Sequence, residues 1–183
     1  MRHLESMNPI LEPKAGSWRL LVGPASLNTS LMQGIAHFGE TGGVRVLDGG
    51  NRFYGYTLAR AARGRQEVLN RITVARAFTC FQVLALLEST PASDSPFVIL
   101  DLLRTFYDES VQTGERKRLL RCCISQMQRL EQAGGGLVSV RPPALASPLA
   151  IELLGMLEQA AADTFFVQPA HAAAGLPEQM SMF

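Results

Sequence analysis

The chain has 183 residues, of which 47% are hydrophobic and 18% charged, and its net charge is +1. This length suffices for one compact globular domain, and the composition excludes a disordered chain. A net charge near zero excludes an overall basic field, so any DNA contact would need a local basic patch. The apolar runs are too short to cross a bilayer and the first residues lack a secretory signal, so we expect a cytoplasmic protein without membrane contact.

The first 16 residues read as a loose arm that precedes the folded core. After them, short apolar runs without polar alternation are typical of buried strands in a parallel sheet. The sequence predicts strands at 18–23, 44–48, 72–75, 97–100, 137–140 and 163–167. Glycine, proline and aspartate follow several of these runs and indicate turns at the strand ends.

Helical periodicity fills the segments between the runs. The predicted helices lie at 28–38, 56–65, 79–88, 114–133 and 149–162. The longest has an apolar face at helical spacing, formed by Leu119, Leu120, Cys123, Met127 and Leu130. Strands that alternate with helices predict an α/β fold, a mostly parallel central sheet with helices on both faces. We place the core at 17–167 and a flexible Ala/Pro/Gly-rich linker at 168–178.

The three cysteines, Cys80 and the adjacent pair Cys122-Cys123, form no motif typical of a metal site. An odd number of cysteines argues against a disulfide framework. We therefore expect reduced thiols in the core or on helix faces.

The segment Gly23-Pro-Ala-Ser-Leu-Asn-Thr-Ser30 has the outline of a phosphate-binding loop. A working loop reads G-x-x-x-x-G-K-[ST] and holds phosphates through backbone N–H groups and its lysine. Here Gly23 and Ser30 have the required spacing, but Asn28 stands at the second glycine and Thr29 at the lysine. No other G-K-[ST] occurs in the chain.

Three further segments follow this loop in the chain. They are Val46-Leu-Asp-Gly-Gly-Asn-Arg-Phe53, then Val74-Ala-Arg-Ala-Phe-Thr79 with Gln82, and the apolar strand Phe97-Val-Ile-Leu-Asp101. In order and spacing, the four segments together resemble the ATPase core of the RecA/RadA recombinase superfamily, most closely its RadA-type branch. The Ala-Arg-Ala-Phe segment is the most specific of the four.

The resemblance implies a RecA-like fold whose nucleotide site is degenerate. Its phosphate-contacting lysine corresponds to Thr29, and the glycine before that lysine corresponds to Asn28. Its water-orienting glutamate corresponds to Gly50, which has no side chain to act as a base. Ser30 and Asp101 keep the magnesium-hydroxyl and Walker B positions. Because phosphoryl transfer depends on positioned charge, we expect negligible ATP hydrolysis and no cofactor.

Two alternatives stay open for the remaining residues of that site. Gly23, Ser30 and Asp101 could retain weak nucleotide binding, or Gly23 could serve only the turn and Asp101 only the strand end. Two basic clusters are likewise candidates for DNA contact through phosphates or are ordinary solvated helix faces. The clusters contain Arg60, Arg63 and Arg65, and Arg116, Lys117 and Arg118.

The last five residues read Gln179-Met180-Ser181-Met182-Phe183. They resemble the bacterial sliding-clamp-binding peptide, with consensus Q-L-[SD]-L-F, in which methionine is an adaptable substitute for leucine. A terminal position after a linker allows such a peptide to extend into a partner. The alternatives are a chance match and a tail that folds back onto the domain.

Together these features predict a non-catalytic RecA/RadA-like accessory protein in DNA repair, recombination or damage tolerance. Its tail would bind the bacterial DNA polymerase sliding clamp, and its core would dock a recombinase or a translesion polymerase. One alternative is a recombinase paralogue that binds or slowly hydrolyses ATP and contacts DNA. The other is a DNA-binding module without clamp contact.

Overall fold

A six-stranded sheet forms the centre of the computed structural model, which describes residue 11, residues 13–142 and residues 147–168. All strand pairs are parallel, in the spatial order β3-β2-β4-β5-β1-β6. The strands are β1 (Trp18–Val22), β2 (Val44–Asp48), β3 (Ile72–Arg76), β4 (Phe97–Leu100), β5 (Gly136–Val140) and β6 (Asp163–Phe166).

The central strands are buried along their whole length, as a parallel sheet covered on both faces requires. Every residue of β1, β4 and β5 is buried, whereas the edge strands β3 and β6 are partly exposed. One charged side chain, Arg19, lies within β1. Its Nε is 3.4 Å from the Asp163 carboxylate on the neighbouring strand β6, which compensates its burial.

Helices cover both faces of the sheet. One core cluster packs beneath α1 (Leu27–Thr41), α2 (Gly55–Ala61) and α3 (Gln66–Leu69). The other lies beneath α4 (Cys80–Ser89), a short 3-10 helix after β4 (Leu102–Tyr107), α5 (Thr113–Gly134) and α6 (Pro148–Ala160). The predicted fold class, an α/β RecA-like parallel sheet with helices on both faces, is confirmed.

The direction of the crossovers explains which helix lies on which face. The chain moves toward one sheet edge from β1 to β2 and β3, and toward the other edge from β3 to β4, β5 and β6. Crossovers of one hand place the first group of helices on one face and the second on the other. The chain after β2 therefore crosses one face of the sheet, whereas the chain after β3 and after β4 crosses the other face. Where neighbouring strands diverge in this way, a crevice opens at their carboxyl ends.

The predicted apolar face of the longest helix is confirmed. Its five residues, from Leu119 to Leu130, are all buried on the inner face of α5. Burial raises the pKa of the Cys123 thiol to about 12, so this cysteine is protonated at neutral pH. Cys80 and Cys122 are also free thiols.

The helix predicted at 56–65 is present as α2, but it ends at Ala61, so the predicted end is wrong. Arg63 and Gly64 adopt left-handed φ values of 53° and 68°, which stop the helix, and a separate short helix, α3, follows. The other predicted elements are present, although α1 begins at Leu27 and extends to Thr41.

Several predicted segments lie outside the described residues. These are most of the arm at 1–16, nearly all of the linker at 168–178 and the whole peptide Gln179–Phe183. Within the part that is described, no helix has both the length and the apolar character that a membrane crossing needs.

A reciprocal cap fixes the beginning of α4. The Thr79 side chain accepts a hydrogen bond from the Gln82 backbone N–H at 3.2 Å, and the Gln82 side chain accepts one from the Phe78 N–H at 2.8 Å. This Thr-x-x-Gln pair satisfies two backbone donors at the helix start. It lies directly after the Ala-Arg-Ala-Phe segment and therefore holds Phe78 in place.

We expect Thr79→Ala to lower the free energy of unfolding by about 1 kcal/mol, because the substitution removes the cap of α4. Chemical denaturation followed by circular dichroism measures the change. Ser26→Ala is the matched control, since Ser26 has the same position before α1 but makes no side-chain cap bond. Equal losses from the two substitutions would contradict the assignment.

Candidate functional site

The loop after β2 is ordered by the buried carboxylate of Asp48, which has 0% exposure. One carboxylate oxygen accepts the Arg52 N–H at 2.7 Å, and the other accepts the Phe53 N–H at 3.1 Å. Arg76, at the end of β3, donates its Nε–H to the same carboxylate at 3.0 Å. Two of the segments that carry the family resemblance therefore meet in one ion pair.

Asp101, at the end of β4, is held by two arginines. Its carboxylate is 3.2 Å from Arg141 Nη2 and 3.4 Å from Arg52 Nε, and it also accepts the Arg141 backbone N–H at 3.2 Å. The residue is only 5% exposed. A buried carboxylate needs such partners to offset its lost hydration.

The backbone at Asp101 is also constrained. Its φ and ψ are both 52°, a left-handed conformation that aspartate tolerates better than most residues. Its N–H donates to Ser139 Oγ at 3.0 Å, and that hydroxyl donates to the Ile99 carbonyl at 3.3 Å. β4 and β5 are thus fastened together where Asp101 leaves the sheet.

Gly50, at the position of the water-orienting glutamate, lies against Asp101. A Cβ at residue 50 would be 2.4 Å from Asp101 Cβ and 2.7 Å from its Oδ2. Both distances are shorter than van der Waals contact allows. The site therefore has no room for any side chain at residue 50 while Asp101 keeps this position.

The side chain of Asn28, in the segment that resembles a phosphate-binding loop, points inward. It is 7% exposed, and its Nδ2 donates to the Arg52 carbonyl at 2.7 Å. The cavity beside it, which Gly23 and Asp101 also line, has a volume of about 30 Å³. That is the volume of about one water molecule.

The cavity beside Asn28 is too small for a nucleotide. Small-molecule sites have volumes on the order of 300–1,000 Å³. The Asp101 carboxylate, which would face the metal ion, is already bound by guanidinium groups. Among the described residues, no cluster of acidic, histidine or cysteine side chains could hold a metal.

The remaining loop residues serve other contacts. Gly23 packs closely against the end of the described chain, since a Cβ there would lie 3.1 Å from Val167 Cβ. Thr29 is exposed and lines a groove with Thr57 and Arg60, away from Asp101. Ser30 is half-buried and does not line the small cavity. The structure therefore brings Gly23, Asn28 and Asp101 together but leaves Thr29 and Ser30 apart from them.

The candidate DNA-contact residues have different environments. Arg60 and Arg63 are exposed, whereas Arg65 pairs with Glu40. In the second cluster Lys117 pairs with Glu152 at 2.6 Å and Arg118 with Glu115 at 2.6 Å. Arg116 is 8% exposed and hydrogen-bonds the Phe106 carbonyl, so it is not part of an exposed patch.

A larger crevice opens where β2 and β4 diverge. It has a volume of about 640 Å³ and lies between the loop at 49–54 and the short helix after β4. We call it the sheet-end crevice. Its wall contains the charged side chains of Arg52, Arg104, Arg141 and Asp108.

No protein-family profile matches the chain, and no curated protein matches it at a significant level. The superfamily resemblance therefore stays a prediction that rests on the four sequence segments, within a confirmed fold class.

Sequence reasoning missed the arginines that partner the aspartates. Arg52 and Arg141 lie just beyond β2 and β5, and the carboxyl ends of parallel strands meet at one sheet edge. That rule could have placed both near Asp101 before the structure was known. The exposed Arg104 carried no comparable signal, since it lies in a helix rather than at a strand end.

We expect Gly50→Ala to lower the free energy of unfolding by about 1–3 kcal/mol, because the added methyl group would overlap Asp101. Gly55→Ala is the matched control, since no atom lies within 4 Å of a Cβ at residue 55. Denaturant unfolding measures both variants. A neutral Gly50→Ala would show that the loop and Asp101 separate easily.

Proposed function

We propose that this protein is a non-catalytic RecA/RadA-like accessory protein in DNA repair, recombination or damage tolerance. Its C-terminal tail would bind the bacterial sliding clamp, and its core would dock a recombinase or a translesion polymerase. The observation that carries the non-catalytic part is the pairing of Asp101 with Arg52 and Arg141 at 3.4 and 3.2 Å.

Charge at the sheet end supports this proposal. A nucleotide-hydrolysing site leaves a carboxylate free to face the metal and a second one to orient water. Here the first carboxylate has two cationic partners, and the position of the second is a glycine without space for a side chain. The cavity of about 30 Å³ beside Asn28 supports the same conclusion.

The clamp-binding part is supported by the sequence of the tail. Gln179 offers an amide for hydrogen bonding, and Met180, Met182 and Phe183 offer apolar side chains at the spacing of the consensus peptide. The segment before it, at 168–178, is rich in alanine, proline and glycine, as a tether is.

We expect no ATP binding by calorimetry and no ATP turnover above the buffer rate, because the space for phosphates is filled by Asn28 and the metal-facing carboxylate is paired. A hydrolytically active recombinase assayed in parallel is the positive control. Turnover that Asp101→Asn abolishes would overturn the non-catalytic proposal and favour the recombinase paralogue.

We expect a protein that lacks Gln179–Phe183 to lose recovery of purified bacterial sliding clamp in a pull-down. Phe183→Ala should weaken binding about tenfold or more, since a buried phenylalanine contributes about 1.5–3 kcal/mol. Equal recovery with and without the five residues would refute clamp binding.

The matched control for the tail is the double variant Met180→Leu/Met182→Leu, which restores the consensus Q-L-S-L-F. It should bind the clamp at least as tightly as the natural sequence, because leucine fills the same apolar pocket with a smaller loss of rotamer freedom. Weaker binding by this variant would show that the tail does not bind as the consensus peptide does.

A further inference from the structure

We propose that the sheet-end crevice binds a phosphate monoester. This site is separate from the degenerate phosphate-binding loop, and the proposal goes beyond the proposed function because it requires neither the clamp nor ATP. The crevice lies between the loop after β2 and the short helix after β4.

Three arginines from separate parts of the chain converge on the crevice. Arg52 follows β2, Arg104 belongs to the short helix, and Arg141 follows β5. Arg104 is exposed and forms no ion pair with any residue that the structure describes. Arg52 directs only its Nε–H to Asp101, so both of its Nη groups lack a partner among the described residues. Guanidinium groups with spare donors are suited to bidentate phosphate binding.

The charges at this place do not balance. Asp101 lies beneath the crevice and Asp108 in its wall, while Arg116 and Glu109 line the adjoining space that shares Arg104 and Arg141. Four arginines therefore stand against three carboxylates, which leaves an excess of one positive charge. Asp108 accepts the Ser110 N–H at 3.0 Å, and this bond holds the pKa of Asp108 below its usual value, so it is counted as ionised. The remaining positive charge favours an anion.

Two hydroxyl groups in the same wall lack partners. Thr105 Oγ1 and Tyr107 OH are buried and make no hydrogen bond with the described chain. Burial and the nearby Asp101 charge raise the pKa of Tyr107 to about 12, so its hydroxyl keeps the proton that it can donate. Buried polar groups without partners are uncommon, so each of these hydroxyl groups has an unused donor beside the crevice.

The mouth of the crevice is aromatic. Tyr54 and Phe78 line it and are 47% and 71% exposed. A flat group esterified to the phosphate could pack against either ring. Asn51, also in the wall, has a left-handed φ of 55°, a conformation that asparagine adopts more readily than most residues.

The shape favours a small ester over a nucleic-acid strand. The arginines border a space of about 640 Å³, and Arg104 and Arg141 also border an adjoining space of about 690 Å³. Each space is the size of a small-molecule site. A strand would instead need basic and aromatic side chains arranged along a groove.

The test is a calorimetric titration of the full chain with inorganic phosphate and with phenyl phosphate at constant ionic strength. Both should bind, with phenyl phosphate the tighter of the two. Arg104→Gln should weaken both by about tenfold, since it removes a charged hydrogen-bonding partner. The matched control is Arg121→Gln on α5, which is exposed and outside the crevice, and which should change binding by less than about twofold.

Phe78→Ala tests the aromatic part of the site, because it should remove the advantage of phenyl phosphate over inorganic phosphate. In the natural protein, phosphate should also protect Arg104 from modification by an arginine-specific reagent, which mass spectrometry measures. This experiment does not depend on the folding of any variant. Absence of phosphate binding, or equal weakening by Arg121→Gln, would overturn the proposal. The proposal would also be overturned if the protein bound an oligonucleotide without terminal phosphates but did not bind inorganic phosphate. Recovery of the sliding clamp is measured in a separate experiment, and its result does not depend on whether phosphate binds.

Discussion

The ion pairs of Asp101 determine the arrangement of the whole carboxyl edge of the sheet. Because the carboxylate is buried, Arg52 and Arg141 must remain beside it, and an unpaired buried charge would cost several kcal/mol. These contacts join β4, β5 and the loop after β2. The same loop is fastened to Asn28 through the Arg52 carbonyl, so the degenerate phosphate-binding loop depends on Asp101 as well.

The guanidinium groups beside Asp101 supply the positive charge that a metal ion supplies to a Walker B carboxylate in a nucleotide-hydrolysing enzyme. In the proposed non-catalytic protein these cations belong to the chain and are not exchanged with a nucleotide, so the charge of Asp101 itself is balanced permanently. The fold class alone would not reveal this difference, since one fold supports many functions. It becomes visible only in the contacts of individual side chains.

The sequence was a good guide wherever the signal was local. The bounds of β2 and β4 were predicted to the residue. β4 is a continuous apolar run, as a strand buried on both faces requires, and β2 is marked by its apolar residues between Gly43 and Gly49. The left-handed turn at Arg63 was not predictable, since arginine carries no preference for it. Arg116 was assigned to a basic surface cluster because charge suggests exposure, but its guanidinium hydrogen-bonds a carbonyl in the interior. Contacts between distant segments, such as Arg141 with Asp101, follow from the sheet topology and cannot be read from any single segment of the sequence.

The close contact between Gly50 and Asp101 has a consequence for how such a site could change over time. A single substitution that returned a carboxylate to residue 50 would collide with the neighbouring aspartate before it could act on water. A lysine at residue 29 would point away from the small cavity, which Asn28 would still fill. In the proposed non-catalytic protein, hydrolysis would therefore need changes at Asn28, Thr29 and Gly50 together, and no one of them would suffice.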